Sequence, residues 1–388
     1  MVFTDRIGCL KDFKVKLEIN PDIKPIIQPY RRPPYHLAEA TEKAIDELIR
    51  EDIVEMAPEP IQWLSQLIIV PKDKKPNEVR ITVDSRMANR AIIRQKFITP
   101  TLEEIKYDLK DAVIFSELDC VKAFHQLELA DEANKNITSF ESSRGPLRYK
   151  RLHMGVHCAS EIFQSKIRDA LKGLEGVKNI ADNILVHAKN KQEHDSRLKK
   201  LCESLRDKGL TVGSKNKAIG VEEIVFFGLK LSKEGVAISD EKANALKQAT
   251  PPKNASELRS FLGLAIWCSF HIPNLATIAQ PLWDLTREGT KYEWENIHKK
   301  AFENIKEHLV TKALSFYNVE WTTRVVCDAS PVGLGAVLGQ TNPNNNKQNN
   351  VIMYLSRLLT DVEKRYSQVE KEALAIVWAC ERLFLYLF

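Results

Sequence analysis

A chain of 388 residues, 44% hydrophobic and 28% charged, is long enough for two or three domains and has the composition of an ordinary soluble globular protein. Its net charge of +5 and isoelectric point near 8.6 suit a polyanionic partner without establishing one. Seven scattered cysteines form neither a zinc knuckle nor a disulfide framework, the start lacks a signal-peptide core, and no apolar run approaches the ~20 residues of a membrane span. A secreted or membrane protein is thereby disfavoured, and a reduced intracellular compartment is expected.

Residues 1–35 read as extended, punctuated by Pro21, Pro25, Pro29, Pro33 and Pro34. From Leu37 to Asp52 apolar residues recur at helical spacing. Strands are expected at Leu67–Val70 and Arg80–Val83, joined by a polar turn from Lys72 to Asn77. Helices follow at 102–109, 159–172 and 191–208, interleaved with strands near 113–119, 147–152, 177–187 and 224–231. This mixture without strict alternation predicts an α+β fold with an antiparallel sheet. A boundary is expected across 232–255, a mainly helical segment over 256–315, and strands again over 322–340. The Asn-rich stretch 342–350 reads as a flexible loop, and Val362–Phe388 as one amphipathic helix. Because the sequence stops on apolar Leu-Tyr-Leu-Phe, the last domain is expected to be incomplete.

Two carboxylates stand out, Asp119 at the end of Val-Ile-Phe-Ser-Glu-Leu-Asp and Asp182 in Asn-Ile-Ala-Asp-Asn-Ile-Leu-Val. An Asp at the end of an apolar strand is more often a turn or cap than a ligand, so each says little alone. Their order among other motifs says more. Val70-Pro-Lys72, Arg80-Ile-Thr-Val-Asp84-Ser-Arg86, Leu118-Asp119-Cys-Val-Lys-Ala-Phe124, Arg151-Leu-His-Met-Gly through Phe163-Gln164, Asp182-Asn183 and Phe226-Phe-Gly-Leu follow one another. In these residues the chain resembles the reverse transcriptase of gypsy-type LTR retrotransposons, most closely the mag-like branch, from about Val2 to its last residue.

The resemblance implies a right-hand polymerase of fingers, palm and thumb, followed by an incomplete RNase H-like α/β domain. It divides the chain into fingers and palm at 1–235, a thumb or connection at 236–291, and the RNase H-like part at 292–388. Asp119 and Asp182 would hold two magnesium ions, with manganese as an alternative, and Asn183 would sit beside them. Arg80, Lys72 and Lys74 would grip the triphosphate, Phe124 would pack under the sugar and exclude a 2′-hydroxyl, and Met154 and Gly155 would line the nucleotide pocket. Phe227, Gly228 and Leu229 resemble the hairpin that holds the primer end. Lys189 to Lys217 carries nine Lys/Arg against four acids, suited to the phosphates of a template–primer duplex, or equally to a solvated helix face. Asp328 and Glu372 match the first two RNase H carboxylates; the others that such a site needs are missing, so no RNase H activity is expected. Partners would be an RNA or DNA template with primer, and dNTPs, with no membrane and an open oligomeric state. The setting would be a cytoplasmic retrotransposon particle or the nucleus.

Three motif positions depart from the family. Ser160 and Gln66 stand where it usually has proline, and Asn183 replaces the second aspartate of the turn. An amide oxygen can face a magnesium ion but brings no negative charge. Some negative-strand RNA virus polymerases work with an Asp-Asn pair there. Two readings therefore stand: an RNA-directed DNA polymerase, active or impaired, and a non-catalytic nucleic-acid-binding remnant.

Overall fold

The computed structural model describes residues 2–72, 75–214, 218–343 and 345–388. The chain divides into two compact units, one of Met1–Leu102 with Phe115–Gly220, the other of Glu103–Ile114 with Val221–Phe388.

The first unit is built on a four-stranded sheet in the order Val177–Ile180, Asn183–Ala188, Ile114–Asp119, Ala218–Val221. The central strands are buried on both faces: Phe115, Leu118, Ile184, Leu185 and Val186 are fully buried, with Ser116 and Glu117 buried beside them. Two helices belong with this core. Ala159–Leu171 buries Ile162, Phe163, Gln164 and Ile167, and Lys191–Lys208 buries His194, Leu201 and Leu205. The second helix begins where Asn190 accepts from Glu193 N at 2.9 Å and ends at Gly209 with φ +78°, a left-handed turn that suits glycine. A long hairpin, Gln66–Lys72 with Lys75–Asp84, pairs Val70 with Arg80; Asp73 and Lys74 lie outside the described residues. The helix Tyr35–Arg50 buries Leu37, Thr41 and Ile45 at successive fourth positions, the stripe its periodicity predicts.

In the second unit, the segment from Val221 begins with a three-stranded meander, Glu223–Phe226, Leu229–Ser232 and Gly235–Ile238. Its helices Ala255–Trp267, Leu275–Asp284 and Asn296–Glu307 share one core, with Phe261 and Phe302 in ring contact at 4.4 Å. A further antiparallel sheet, Thr322–Ala329, Gly333–Asn342 and Asn345–Leu358, packs with the helix Gln368–Arg382.

Two expectations are corrected here. From Asn345 on, the Asn-rich stretch is strand rather than loop: residues 345–350 belong to a strand that pairs Asn349 with Thr341 and Asn350 with Gln340, and residue 344 lies outside the described residues. Ladder hydrogen bonds override the weak strand preference of asparagine. The segment 362–388 is not one helix. Ser367 accepts from Glu370 N while Glu370 accepts from Ser367 N, and this capping box starts the helix at Gln368, after a separate turn Glu363–Arg365. Among the described residues no helix is long and apolar enough to cross a membrane.

Candidate functional site

Asp119 ends its strand at the point where the neighbouring hairpin turns. The turn consists of Ala181 and Asp182 between paired Ile180 and Asn183. Ala181 has φ +50°, a left-handed backbone that costs a non-glycine residue energy unless its surroundings hold it. Three contacts do so. Cys120 N donates to the Asp182 carbonyl at 3.0 Å, Ala181 N donates to Gln164 Oε1 at 2.7 Å, and Asn179 Nδ2 donates to the same oxygen at 3.1 Å. Gly213 N donates to the Asp119 carbonyl at 2.9 Å, fixing the other chain. The two aspartates are thus joined through the backbone of the intervening Cys120. Burial, followed by the charges of Asp182 and Asp119, pushes the Cys120 thiol up to about 12. Asn183 is half-buried at the start of its strand.

Asp182 borders a cleft of roughly 330 Å³ whose other walls include Lys72, Arg80, Lys122, Phe124 and Met154. Arg80 Nη2 lies 3.0 Å from Met154 Sδ, and Lys72 pairs with Glu78 at 2.7 Å. Phe124 meets Phe163 edge to face at 5.8 Å, which fixes its ring in the cleft wall. Met154 is half-exposed there. Gly155 is not among the lining residues; a Cβ on it would come within 2.6 Å of Ser85 Oγ and 2.7 Å of His153 Cε1. Lys74 lies outside the described residues. His125, Tyr149 and His153 also line the cleft, with the Tyr149 and His153 rings stacked at 4.2 Å. Burial pulls His125 down to about 4 and His153 down to about 3, so both rings are neutral at pH 7. Because His153 Nδ1 accepts from Gly155 N at 3.1 Å, its proton resides on Nε2.

Among the described residues no group of three or more His, Cys, Asp and Glu could hold a metal. Asp119 and Asp182 offer hard oxygen donors on adjoining chain segments. Magnesium is commonly bound by one or two carboxylates together with substrate phosphates, so this pair fits it without a full protein cage.

The remaining residues of interest lie in the second unit. Phe227 and Gly228 form the turn between Phe226 and Leu229, with φ +48° and +80°. Lys242 Nζ sits 3.5 Å from the centroid of the Trp267 ring, and both side chains crowd Gly228. Asp328 is exposed on its strand opposite Gly335. Gln368 Nε2 donates to Glu372 Oε1 at 2.8 Å and to the Ala329 carbonyl at 2.9 Å, tying Glu372 to the residue after Asp328.

Gln164, Lys122 and Glu47 carried no assigned role in the sequence. Gln164 had a signal: it is a polar residue in the buried stripe Ile162-Phe163-Gln164-Ile167, and a buried amide needs partners. The pairing of Lys122 with Glu47 spans too much sequence to be read from periodicity.

The four-stranded sheet, its central hairpin and the cleft beside it belong to a fold of the right-hand polymerase class. Residues 70–264, half of the chain, match the family described as reverse transcriptase (RNA-dependent DNA polymerase), and the chain belongs to that family. Residues 294–388 match an RNase H-like domain found in reverse transcriptase. The chain is 29% identical over 95% of its length to the retrovirus-related Pol polyprotein from transposon 412 of Drosophila melanogaster, covering 30% of that protein. It is 29% identical over 80% of its length to the Pol polyprotein from transposon gypsy of the same organism, covering 31% of it. The Tf2-7 transposon polyprotein of Schizosaccharomyces pombe is 27% identical over 78% of the chain, which covers 23% of it. The chain thus spans roughly a quarter to a third of these relatives. A foamy viral protease-reverse transcriptase, solved in complex with double-stranded DNA, superposes with a TM-score of 0.87 at 21% identity. That match covers 99% of this chain and 67% of the other. A foamy viral protease-reverse transcriptase with an RNA/DNA hybrid gives a TM-score of 0.82 at 22% identity, covering 98% and 50%. These likenesses show a shared fold.

Proposed function

We propose that this chain is the RNA-directed DNA polymerase portion of a retrotransposon Pol protein, adding dNTPs to a primer 3′-hydroxyl paired with an RNA or DNA template. The observation that carries this reading is the adjacency of Asp119 and Asp182, with Asp182 on the rim of a cleft that also presents Arg80, Lys72 and Phe124. In the reaction the 3′-oxygen bonds to the α-phosphorus of the nucleotide and pyrophosphate leaves. Asp119 and Asp182 would hold magnesium, which supplies Lewis-acid activation of the hydroxyl and neutralises the charge on the leaving group. Arg80 and Lys72 would hold the triphosphate, with Lys74 as a further candidate. Phe124 would exclude a 2′-hydroxyl, and Met154 would border the base or sugar with Gly155 packed beside it. Asn183 adds no charge to the carboxylate pair, so activity is expected below that of an Asn183→Asp variant.

We assign residues 1–235 to fingers and palm, 236–291 to a thumb or connection, and 292–388 to the RNase H-like part. Phe227, Gly228 and Leu229 are proposed to hold the primer end. The foamy viral relatives were solved with duplex DNA and with an RNA/DNA hybrid, which supports a nucleic-acid duplex as partner. Asp328 and Glu372 supply fewer carboxylates than RNase H chemistry calls for, so we propose that this chain does not cleave the RNA of a hybrid. Release of RNA fragments by the purified protein, lost in Asp328→Asn, would overturn that. Asn183 also favours a second reading, a nucleic-acid-binding remnant without catalysis. Magnesium-dependent primer extension on an RNA template separates the two: extension by the wild type supports the polymerase, and extension by Asn183→Asp alone supports the remnant.

A further inference from the structure

Lys122 lines the same cleft as Arg80 and Lys72, three residues beyond Asp119. Its backbone is left-handed, with φ +42°, and His125 N donates to its carbonyl at 2.8 Å. The ammonium is shared between two carboxylates, 2.8 Å from Glu47 Oε1 and 2.5 Å from Glu51 Oε2. Glu47 lies in the last turn of the helix Tyr35–Arg50 and Glu51 is the residue that caps its C-terminus, four positions on, so one lysine meets both. Glu47 itself lines the cleft, and its carboxyl is held below the usual range chiefly by the Lys122 hydrogen bond.

One positive and two negative charges leave this trio with an excess negative charge. Its side chains are 38%, 48% and 27% exposed, so the pairs are screened and contribute under about 1 kcal/mol each to stability. A lysine that adds so little to the fold, yet lines a cleft with two other cationic side chains, is poised for exchange. A nucleoside polyphosphate brings several anionic oxygens to a three-donor ammonium, and the released carboxylates return to water at little cost.

We propose that Lys122 is a positioning residue for the triphosphate of the incoming nucleotide, held in reserve by Glu47 and Glu51 and exchanged from them when the nucleotide binds. This rests on the polymerase reading above. The two glutamates then act as a counterweight, opposing any anion too weakly charged to displace them.

The test is equilibrium binding of the correct dNTP with Mg²⁺ to the full chain loaded with template and a dideoxy-terminated primer, so that no chemistry is required. Lys122→Met should weaken binding about tenfold, and Glu47→Gln combined with Glu51→Gln should tighten it severalfold. The tightening should vanish when Lys122→Met is added. Unchanged or weaker binding in the double glutamine variant overturns the proposal, as does unchanged binding in a folded Lys122→Met protein. Should Lys122→Met fail to fold, the glutamine pair alone decides. A wild type that binds duplex but no dNTP fails differently, because it removes the polymerase reading itself.

Discussion

Gln164 is the residue that holds the 181–182 turn in place. Its Oε1 accepts from both Ala181 N and Asn179 Nδ2, and the side chain is only 1% exposed. Gln164→Leu keeps the volume but strands a backbone N–H inside the protein, a loss of about 1–3 kcal/mol. Chemical denaturation should show that loss, and primer extension should fall as well; an unaltered midpoint would contradict the bracing role. Phe124 lies in the cleft wall with its ring set by Phe163, so Phe124→Val should admit ribonucleotides. The rNTP-to-dNTP ratio of kcat/KM is expected to rise by at least about tenfold, the scale on which a pocket discriminates one small group. A ratio that does not move would remove Phe124 from sugar selection. His153 ties stability to pH. Its folded-state pKa of about 3 lies below the ordinary 6.5, so between those values the unfolded chain binds a proton that the folded chain does not. The contribution is complete above pH 6.5 and declines toward pH 3 by roughly 1.4 kcal/mol per pH unit. The stability advantage of wild type over His153→Leu should therefore narrow from pH 7 to pH 5. An equal gap at both values would mean that the ring is not held neutral.

Elements were legible where a local rule decides them. The helix Lys191–Lys208 announces itself by apolar spacing, an Asn cap and a terminal glycine, and it lies where the periodicity predicts. The hairpin around Asp182 was readable as two apolar runs broken at Ala181-Asp182. The Asn-rich strand after residue 344 was not, because its partner strand, rather than its own composition, stabilises it. The adjacency of Asp119 and Asp182 followed from the resemblance; spacing alone does not bring two distant strands together. The trio of Lys122, Glu47 and Glu51 was invisible for the same reason, since it joins side chains far apart in sequence. In the second unit the turn Phe227-Gly228 has two successive positive φ values, the geometry of a two-residue hairpin that asks for glycine at its second position. A Cβ on Gly228 would meet Lys242 Cε at 2.7 Å and Trp267 Cζ2 at 3.1 Å. Gly228→Ala should lower stability by about 1–2 kcal/mol, read as a reduced melting temperature. Unchanged melting would show that the turn relaxes freely.

At the scale of the whole molecule, the family match and the fold agree on a member of the reverse transcriptase family, and under the proposed function Asn183 is expected to set how well it works. Under the proposed function, an uncharged amide in place of a carboxylate would weaken the field around the cations that Asp119 and Asp182 would hold. The measurement that bears most directly on this is Mg²⁺-dependent primer extension on an RNA template by the wild type, Asn183→Asp and Asp182→Asn. The account predicts measurable extension by wild type, extension at least about tenfold faster with Asn183→Asp, and none above background with Asp182→Asn. Absence of extension in both wild type and Asn183→Asp, with the protein folded and bound to duplex, would contradict it.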